Sequence, residues 1–343
     1  MQNSPLSIAF YGTPPDEQEY LQKRFAEANM PVTASYNEHG INPQSLPAKN
    51  DAAALGVFVD SVVNGPVMDA FPKLKLIVTL STGFDHIDLK EAAKRGITVC
   101  NVPSYGENTV AEFAFGLILT LSRKIYAAAD QIKETGGFGL EGLRGFDLEG
   151  KTIGVIGTGK IGKHSIVMAR GFGMKIVAYD PFPNEKLQAE LGFKYVPLDE
   201  LLEKSDVITL HVPYSEKTHH LIDEKAFARM KPTAILINTS RGGIVDTDAL
   251  VKALNEKRIA GAGLDVLEEE NALKDEKGIA NIHGDKKALR TINEDHALMK
   301  MSNVIVTPHN AFNTDEALRR ILDTTVDNVK AWAEGKPANV VKA

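Results

Sequence analysis

The chain has 343 residues, of which 43% are hydrophobic and 24% are charged, and its formal net charge at pH 7 is −6. This length favours two domains of ordinary size, and the composition is that of an average soluble globular protein. The mild acidity, without clustered Lys and Arg, argues against nucleic-acid binding, and the single Cys100 excludes an internal disulfide, so we expect a cytoplasmic protein.

The first hundred residues alternate short strands with helices. Strands are predicted over residues 7–10, 32–35, 54–59, 76–80 and 97–100, and helices over residues 16–29, 67–71 and 88–94. This alternation predicts a parallel sheet with helices on both faces. Because no turn in this stretch carries a phosphate-binding glycine pattern, the stretch is a candidate substrate domain. Residues 80–85, LSTGFD, end one strand at the edge where open α/β sheets bind ligands, and their N–H groups suit a small carboxylate.

A helix and a glycine-rich loop follow. Residues 109–112, TVAE, have the pattern of a capping box, which predicts that a helix begins at Thr109. Its apolar run over residues 113–121 is far too short to span a bilayer, so no membrane contact is expected. Residues 135–147 are rich in glycine and irregular, which is typical of a loop between domains. This helix and loop form a surface on which a second subunit would pack.

The most specific motif lies at residues 151–180, KTIGVIGTGKIGKHSIVMARGFGMKIVAYD. A strand, a glycine turn, a helix, a second strand and a closing acid form the dinucleotide-binding fingerprint in its required context. Gly157 permits the sharp turn, Gly159 leaves room for a pyrophosphate, and Gly162 lets helix and strand pack closely. Asp180 is placed to accept hydrogen bonds from the adenosine ribose and to repel a 2′-phosphate. The expected cofactor is therefore NAD rather than NADP.

The rest of the chain repeats the same alternation. Strands are predicted over residues 207–212, 234–238, 260–266 and 304–307, and helices over residues 198–204, 224–230 and 246–256. With the two strands of the fingerprint this makes about six, the number in a complete dinucleotide-binding fold. The polar stretch 268–303 is expected to contain two short helices, near residue 288 and over residues 296–301. The histidines of these regions lack metal-ligand spacing and are expected to be exposed to solvent; they are His219, His220, His283 and His296.

Three of these strands end in polar residues that a protein core would not select. They are TSRGG at residues 239–243, LDV followed by EEE within residues 264–270, and TPHN at residues 307–310. Reduction of a 2-keto acid needs a cation that binds the carboxylate and polarises the carbonyl, and an acid that protonates the developing alkoxide. Arg241 has the planar fork that suits a carboxylate, and His309 supplies an imidazole, the side chain most often used as a general acid. Each residue taken alone could instead have a purely structural role. Arg241 could form a surface ion pair, and His309 could cap a helix or turn with its hydrogen bonds satisfied.

Several short motifs, spread over essentially the whole chain, together resemble the D-isomer-specific 2-hydroxyacid dehydrogenase family. They are VPSY at residues 102–105, GTGKIG at 157–162, NTSRG at 238–242, LDV at 264–266 with Glu270, and TPH at 307–309. Tyr105, the segment LEGL at residues 140–143 and the long stretch 268–303 resemble the branch of fermentative D-lactate dehydrogenases.

The resemblance implies an α/β fold of two Rossmann-like, doubly wound parallel-sheet domains. Residues 1–103 and 310–343 would form a discontinuous substrate domain, and residues 104–309 would form the NAD-binding domain. The family also implies a homodimer, for which the helix from Thr109 is the expected interface.

The same resemblance implies roles for individual residues. Arg241 would hold the substrate, His309 would be the acid/base, and Glu270 would be the partner of His309. Among the three consecutive glutamates, a spacing of five residues after Asp265 favours Glu270. The residues implied to contact the substrate are Thr82, Gly83, Tyr105, Arg241 and His309. Besides the three fingerprint glycines, those implied to contact NAD are Lys160, Ile161, Asp180, Val212, Pro213, Thr218, Thr239, Ser240 and Asp265.

The reaction favoured by these features is reduction of pyruvate, or of a similarly small 2-keto acid, to the D-2-hydroxy acid with NADH. Alternatives within the family are reductases of hydroxypyruvate or glyoxylate, of phenylpyruvate, and of 3-phosphohydroxypyruvate. A phosphorylated substrate would need an additional Arg or Lys in the loop STGF at residues 81–84, which has neither. An alternative of another class is a non-catalytic NAD-sensing regulator, and the intact set of Arg241, Glu270 and His309 argues against it.

Overall fold

The computed structural model describes residues 5–48, 50–270 and 286–342. The chain forms two compact units, Met1–Gly106 with Thr314–Ala343, and Glu107–Asn313. Each unit is built on one parallel sheet with helices on its faces. The fold is therefore α/β, with two Rossmann-like, doubly wound domains of which the first is discontinuous in sequence. The division of substrate and cofactor binding between residue ranges stays a prediction.

The first unit contains a five-stranded sheet. Its strands are β1 (Leu6–Tyr11), β2 (Val32–Asn37), β3 (Ala54–Val57), β4 (Leu76–Thr79) and β5 (Thr98–Cys100), and its first three helices are α1 (Pro15–Glu27), α2 (Gly65–Asp69) and α3 (Leu89–Lys94). All neighbouring strands pair in parallel, in the order β2-β1-β3-β4-β5. Every residue of β3 and β4 is buried, as expected when helices cover both faces of a parallel sheet.

The second unit contains a seven-stranded sheet in the order β12-β11-β10-β9-β6-β7-β8, again with parallel neighbours. The strands are β6 (Thr152–Ile156), β7 (Lys175–Tyr179), β8 (Lys194–Tyr195), β9 (Val207–Leu210), β10 (Ile235–Asn238), β11 (Gly261–Leu264) and β12 (Val304–Val306). The helices are α4 (Glu107–Ser122), α5 (Ile125–Thr135), α6 (Lys160–Gly171), α7 (Glu185–Leu191), α8 (Leu198–Lys204), α9 (Glu224–Arg229), α10 (Thr247–Asn255) and α11 (Lys286–Lys300). Strand order reverses between β6 and β9, where such folds bind dinucleotides at the carboxyl ends of the strands.

The last helix, α12 (Asp315–Ala333), belongs to the first unit. Asp323 on α12 accepts hydrogen bonds from Arg24 Nε at 2.6 Å and from the Tyr20 hydroxyl at 3.0 Å, both on α1. Farther along, Val340 forms an antiparallel bridge with Cys100 of the edge strand β5. These contacts make the segment after the second unit an integral part of the first.

The region after the first unit differs from its prediction in two ways. The helix expected from Thr109 begins at Glu107, and Thr109 is buried within the first turn, so the capping-box prediction is wrong. Most apolar side chains of α4 pack in the core of the second unit, and Phe113 and Leu119 are partly buried against it. The predicted subunit interface on this helix stays a prediction. Helix α5, which the sequence pattern did not predict, has no buried residue. It and the following loop carry exposed apolar side chains, here called the α5 surface: Ile125, Tyr126, Ile132, Phe138 and Leu140.

The polar stretch after β11 contains one described helix in place of the two short helices predicted. Helix α11 packs against α10 and β12. Its buried residues recur at helical spacing, so residues 291–298 share one buried face; they are Thr291, Ile292, Asp295 and Leu298. Residues 271–285, with His283, lie outside the described residues. Of the helices that the structure describes, none has both the length and the apolar character needed to cross a membrane.

Candidate active site

The glycine turn after β6 has the shape that a bound diphosphate requires. Gly157 has a φ of +92°, and a β-carbon there would collide with the carbonyl group of His211. A β-carbon on Gly162 would collide with the carbonyl oxygen of Gly157, so only glycine permits this packing of α6 against β6. At Gly159 no atom lies within 4 Å of the corresponding position. The turn therefore leaves open space beside the backbone at the N-terminus of α6, where anions bind favourably.

Asp180, at the end of β7, holds this turn in place. One carboxylate oxygen accepts hydrogen bonds from the Thr158 N–H at 2.8 Å and the Thr158 hydroxyl at 3.0 Å. The other accepts from the Phe182 N–H at 2.9 Å. A carboxylate has about four lone-pair sites, so acceptor capacity remains for a ribose hydroxyl. The predicted contact of Asp180 with the ribose stays a prediction.

The loop after β9 lies directly beside the glycine turn, where His211 and Val212 approach Gly157. Thr218 Oγ1 donates to the Pro213 carbonyl at 2.7 Å and accepts from the Ser215 N–H at 2.8 Å, which closes the loop on itself. Val212 is buried, while Pro213 is exposed. The loop therefore offers a preformed surface of the kind predicted for the cofactor.

His211 ties this loop to the fingerprint helix. Its Nε2 lies 2.9 Å from Ser165 Oγ on α6 and 3.1 Å from Thr209 Oγ1 on β9. Burial lowers the pKa of the imidazole to about 4, so the ring is neutral at physiological pH. The neutral ring thus links α6 to β9 through two hydroxyl groups without adding charge.

Arg241 follows β10 in a turn fixed by its neighbours. The Asn238 side chain accepts from the Ser240 N–H at 3.0 Å and donates to the Arg241 carbonyl at 2.9 Å. Ser240 Oγ donates to the Leu210 carbonyl at 2.7 Å. Thr239 Oγ1 is buried and has no hydrogen-bond partner among the described residues, so it is available to a bound molecule.

His309 and Glu270 form the pair that the spacing of the sequence predicts. His309 Nδ1 lies 2.8 Å from Glu270 Oε1, and the two side chains are 16% and 23% exposed. With Nδ1 engaged, Nε2 is the ring nitrogen that remains, and it bonds to no residue that the structure describes. The arrangement leaves one ring nitrogen of His309 for a ligand.

The backbone of His309 is held in an uncommon conformation by Asp265. His309 has a φ of +54°, in the left-handed region that disfavours residues with a β-carbon. Asp265 accepts from the Thr307 hydroxyl at 2.5 Å and from the N–H groups of Asn310 and Ala311 at 2.8 Å, and its carbonyl accepts from the His309 N–H at 2.8 Å. Burial raises the pKa of the Asp265 carboxyl, opposed by these donors and by His309. Its predicted contact with NAD stays a prediction.

The first unit contains the other predicted substrate residues. Thr82 Oγ1 donates to the Val102 carbonyl at 2.8 Å, and Asn101 Nδ2 donates to the Thr82 carbonyl at 2.8 Å. The N–H groups of Thr82 and Gly83 donate to no described residue, which leaves them for an anion such as a carboxylate. Tyr105 is half-buried in the same unit.

Two further residues that are predicted to contact the cofactor, Lys160 and Ile161, lie on α6. Lys160 forms an ion pair with Glu107 at 3.4 Å, and Ile161 is half-buried.

The prediction that His220 is exposed to solvent is wrong. Its side chain is 21% exposed, and its Nε2 lies 2.8 Å from Glu268 Oε1. The run of three glutamates was the available signal that a hydrogen-bond donor lies nearby, but the sequence does not say which residue it is.

Sequence reasoning also missed the packing around Arg241. A β-carbon on Gly242 would collide with the backbone of Leu267 and Glu268, so the turn after β10 contacts the segment after β11 directly. The two segments that carry Arg241 and Glu270 are therefore adjacent. The signal was the second residue of the RGG motif, where a glycine next to a functional residue indicates close backbone approach.

Comparison with known proteins gives a consistent result. Residues 115–311 match the family model described as D-isomer specific 2-hydroxyacid dehydrogenase, NAD binding domain. The chain is 35% identical to a D-lactate dehydrogenase of Escherichia coli over 335 residues, covering 96% of this chain and 98% of the relative. It is 40% identical to a glyoxylate reductase of Korarchaeum cryptofilum over 296 residues, covering 85% of this chain and 83% of the relative.

A solved structure agrees with these sequence comparisons. D-lactate dehydrogenase from Aquifex aeolicus, complexed with NAD and lactic acid, has a TM-score of 0.84 and 37% identity, and the match covers 98% of this chain and 99% of that chain. The cofactor of this chain is NAD. The open space at Gly159 and the collisions at Gly157 and Gly162 fit its diphosphate.

Proposed function

We propose that this chain, which belongs to the D-isomer-specific 2-hydroxyacid dehydrogenase family, reduces pyruvate to D-lactate with NADH. The observation that carries the proposal is the His309–Glu270 pair, 2.8 Å apart, with the other ring nitrogen of His309 left for a substrate. The relatives named D-lactate dehydrogenase and the absence of Lys and Arg from residues 81–84 support a small, unphosphorylated substrate.

The residues divide the reaction among them. NADH, when bound, supplies a hydride to the keto carbon of the substrate. Arg241 binds the substrate carboxylate with its planar guanidinium and stabilises negative charge on the carbonyl oxygen. His309 gives the proton of Nε2 to that oxygen, and Glu270 stabilises the imidazolium form before the transfer. One hydride and one proton convert the keto acid to the hydroxy acid.

The first unit supplies the remaining substrate contacts in this proposal. The N–H groups of Thr82 and Gly83 bind the carboxylate, and Tyr105 lines the pocket. The cofactor contacts are those of the glycine turn, Asp180, the loop after β9 and the turn after β10. Thr239 Oγ1, buried and without a partner among the described residues, is suited to one of them.

A second candidate is reduction of glyoxylate or hydroxypyruvate. It is favoured by the 40% identity to the glyoxylate reductase of Korarchaeum cryptofilum. The same Arg241, Glu270 and His309 would act on these substrates, because glyoxylate and hydroxypyruvate also carry a carboxylate next to a carbonyl.

The proposal includes a cytoplasmic homodimer. The α5 surface supports the dimer, since it presents five large apolar side chains that are between 47% and 92% exposed. The buried, reduced Cys100 fits the reducing conditions of the cytoplasm.

The test is to measure the rate of NADH oxidation, from the decrease of its absorbance, with each of a panel of 2-keto acids. The panel contains pyruvate, glyoxylate, hydroxypyruvate, phenylpyruvate and 3-phosphohydroxypyruvate, with chiral analysis of the product. We expect the highest kcat/KM with pyruvate and a D-configured product. A higher value with glyoxylate or hydroxypyruvate would select the second candidate. Binding of NADH without turnover of any substrate would favour a NAD-sensing regulator.

A further inference from the structure

A histidine between two carboxylates lies outside the residues given a chemical role above. His220 Nε2 lies 2.8 Å from Glu268 Oε1, and His220 Nδ1 lies 3.6 Å from Asp246 Oδ2. The side chains of His220, Glu268 and Asp246 are 21%, 15% and 30% exposed. Hydrogen bonds to a carboxylate that is largely shielded from water hold their geometry more firmly than contacts on the open surface.

The Glu268 carboxylate is held from a second side. Its Oε2 accepts from the Thr247 hydroxyl at 3.0 Å and from the Thr247 N–H at 3.4 Å, at the first residue of α10. The positive end of the helix dipole favours a carboxylate at this position. Asp246 caps the same helix by accepting from the Ala249 N–H at 3.1 Å. Glu268 is thereby fixed between a histidine and a helix N-terminus.

The backbone of His220 contacts the segment that carries Arg241. Its N–H donates to the Gly243 carbonyl at 2.9 Å, two residues after Arg241. Gly242, between them, packs directly on the backbone of Leu267 and Glu268. His220 therefore binds the Arg241 segment with its main chain and the Glu270 segment with its side chain.

We infer that His220 and Glu268 form a clamp that positions Glu270 against His309. Glu270 follows Glu268 by two residues, so fixing both the backbone and the carboxylate of Glu268 limits where the Glu270 carboxylate can lie. The clamp holds Glu270 Oε1 at 2.8 Å from His309 Nδ1. His220 and Glu268 are positioning residues, and the inference rests on the proposed function of Glu270 and His309 as the acid/base pair.

The groups around the clamp provide a matched control. Asp295 on α11 interacts electrostatically with Glu268, Glu269 and Glu270. His219 stacks on His220 with ring centroids 3.8 Å apart, but it is exposed and bonds to the Tyr214 hydroxyl at 3.3 Å. His219 is thus a neighbouring residue of the same type that makes no described contact with Glu268.

The experiment compares His220→Ala, His220→Gln, Glu268→Gln and His219→Gln with the wild type. It uses the 2-keto acid that the wild type reduces fastest and measures kcat and KM across pH. We expect His220→Ala to lower kcat about tenfold, a part of the hundredfold or more that general acid catalysis supplies. KM and NADH affinity should change less than about twofold, because the clamp touches neither ligand.

The pH dependence separates positioning from simple destabilisation. A displaced Glu270 stabilises the His309 imidazolium less, so the loss of activity with rising pH should begin at lower pH in His220→Ala. Glu268→Gln should shift it in the same direction. His220→Gln, whose amide still donates to Glu268, should recover most of the rate, and His219→Gln should match the wild type.

A second readout does not depend on turnover. The nitrogen-attached proton of His309 Nδ1 is observable by NMR while it is hydrogen-bonded to Glu270, and we expect its signal to be lost in His220→Ala. If the wild type reduces no 2-keto acid, the proposed function fails, and this signal alone decides the clamp. The clamp is overturned if His220→Ala and Glu268→Gln only lower the melting temperature and leave kcat, its pH dependence and the His309 signal unchanged. If His220→Ala does not fold, Glu268→Gln decides by the same criteria.

Discussion

The fingerprint glycines act for different steric reasons, and substitution can separate two of them. Gly159 has a φ of −63° and open space at the β-carbon position, so Gly159→Ala should fold normally but place a methyl group where the diphosphate lies. We expect NADH affinity to fall about tenfold or more, equivalent to about 1.4 kcal/mol, with no change in melting temperature. Titration by NADH fluorescence and thermal melting measure both.

Gly162→Ala is the matched comparison for Gly159→Ala. Its methyl group would meet the Gly157 carbonyl oxygen, which is backbone and cannot move aside like a flexible side chain. We expect the free energy of unfolding to fall by about 1–3 kcal/mol, the usual effect of overpacking. The steric explanation fails if Gly159→Ala unfolds early while Gly162→Ala is as stable as the wild type.

Glu270 and Glu269 are adjacent acids, of which only Glu270 contacts His309 in the described structure. Glu270→Gln should lower kcat about a hundredfold, because the amide no longer stabilises the imidazolium that donates the proton. Glu269→Gln should stay within about twofold of the wild type. Steady-state kinetics measure kcat for both variants. A lower kcat in Glu269→Gln than in Glu270→Gln would show that Glu269 is the partner of His309.

At the scale of elements, α11 contains a carboxyl group in an unfavourable place. Asp295 is fully buried, and its burial together with the carboxylates of Glu268, Glu269 and Glu270 raises its pKa to about 7, opposed by the Glu269 backbone N–H. A folded-state pKa above the unfolded value of 3.8 means that the folded protein binds this proton more tightly. Stability from this group is therefore complete below pH 3.8 and decreases as the pH rises through about 7.

Asp295→Asn tests this sign, because asparagine resembles the protonated acid. We expect the variant to be more stable than the wild type, with an advantage that grows by about 2 kcal/mol between pH 5 and pH 8. Urea unfolding at the two pH values measures the difference. An advantage that stayed constant or shrank with rising pH would show that Asp295 is not protonated in the folded protein.

The elements that the sequence predicts best are those whose rules are local. The β6-turn-α6-β7 unit follows from three glycines within six residues, each with its own steric reason. The start of α4 did not follow, because burial of Thr109 in the core outweighs its preference for a cap. The single helix α11 was missed because polar residues dominate its composition. Which of its faces is buried depends on packing against α10 and β12, elements that are distant or separate in the local sequence pattern.

The site shows the same limit. The pairing of Glu270 with His309 was predicted from spacing and family resemblance, and the structure places the two side chains in contact. The contact of His220 with Glu268 spans 48 residues, and nothing in either local sequence specifies the other. Contacts of this kind depend on the strand order of the sheet, which brings the ends of β9, β10 and β11 to one edge.

At the scale of the whole molecule, the α5 surface predicts how two chains assemble. If the α5 surface forms the dimer interface, Tyr126→Glu should convert the dimer to a monomer, since it buries a charge among apolar side chains. The folded state of each chain should be unaffected, because α5 has no buried residue. Light scattering measures the mass, and Leu46→Glu, at an exposed apolar residue of the first unit, is the control. A dimer that persists in Tyr126→Glu places the interface elsewhere.

The discontinuity of the first unit determines the order in which the protein can be completed during synthesis. Residues 107–313 leave the ribosome as one continuous segment and can form their seven-stranded sheet without any later part of the chain. The earlier residues must wait for α12, with its contacts to α1, and for Val340, which bridges to β5. The N-terminal unit is thus translated first and finished last, and its exposed surfaces are the ones that a chaperone would encounter on the nascent chain.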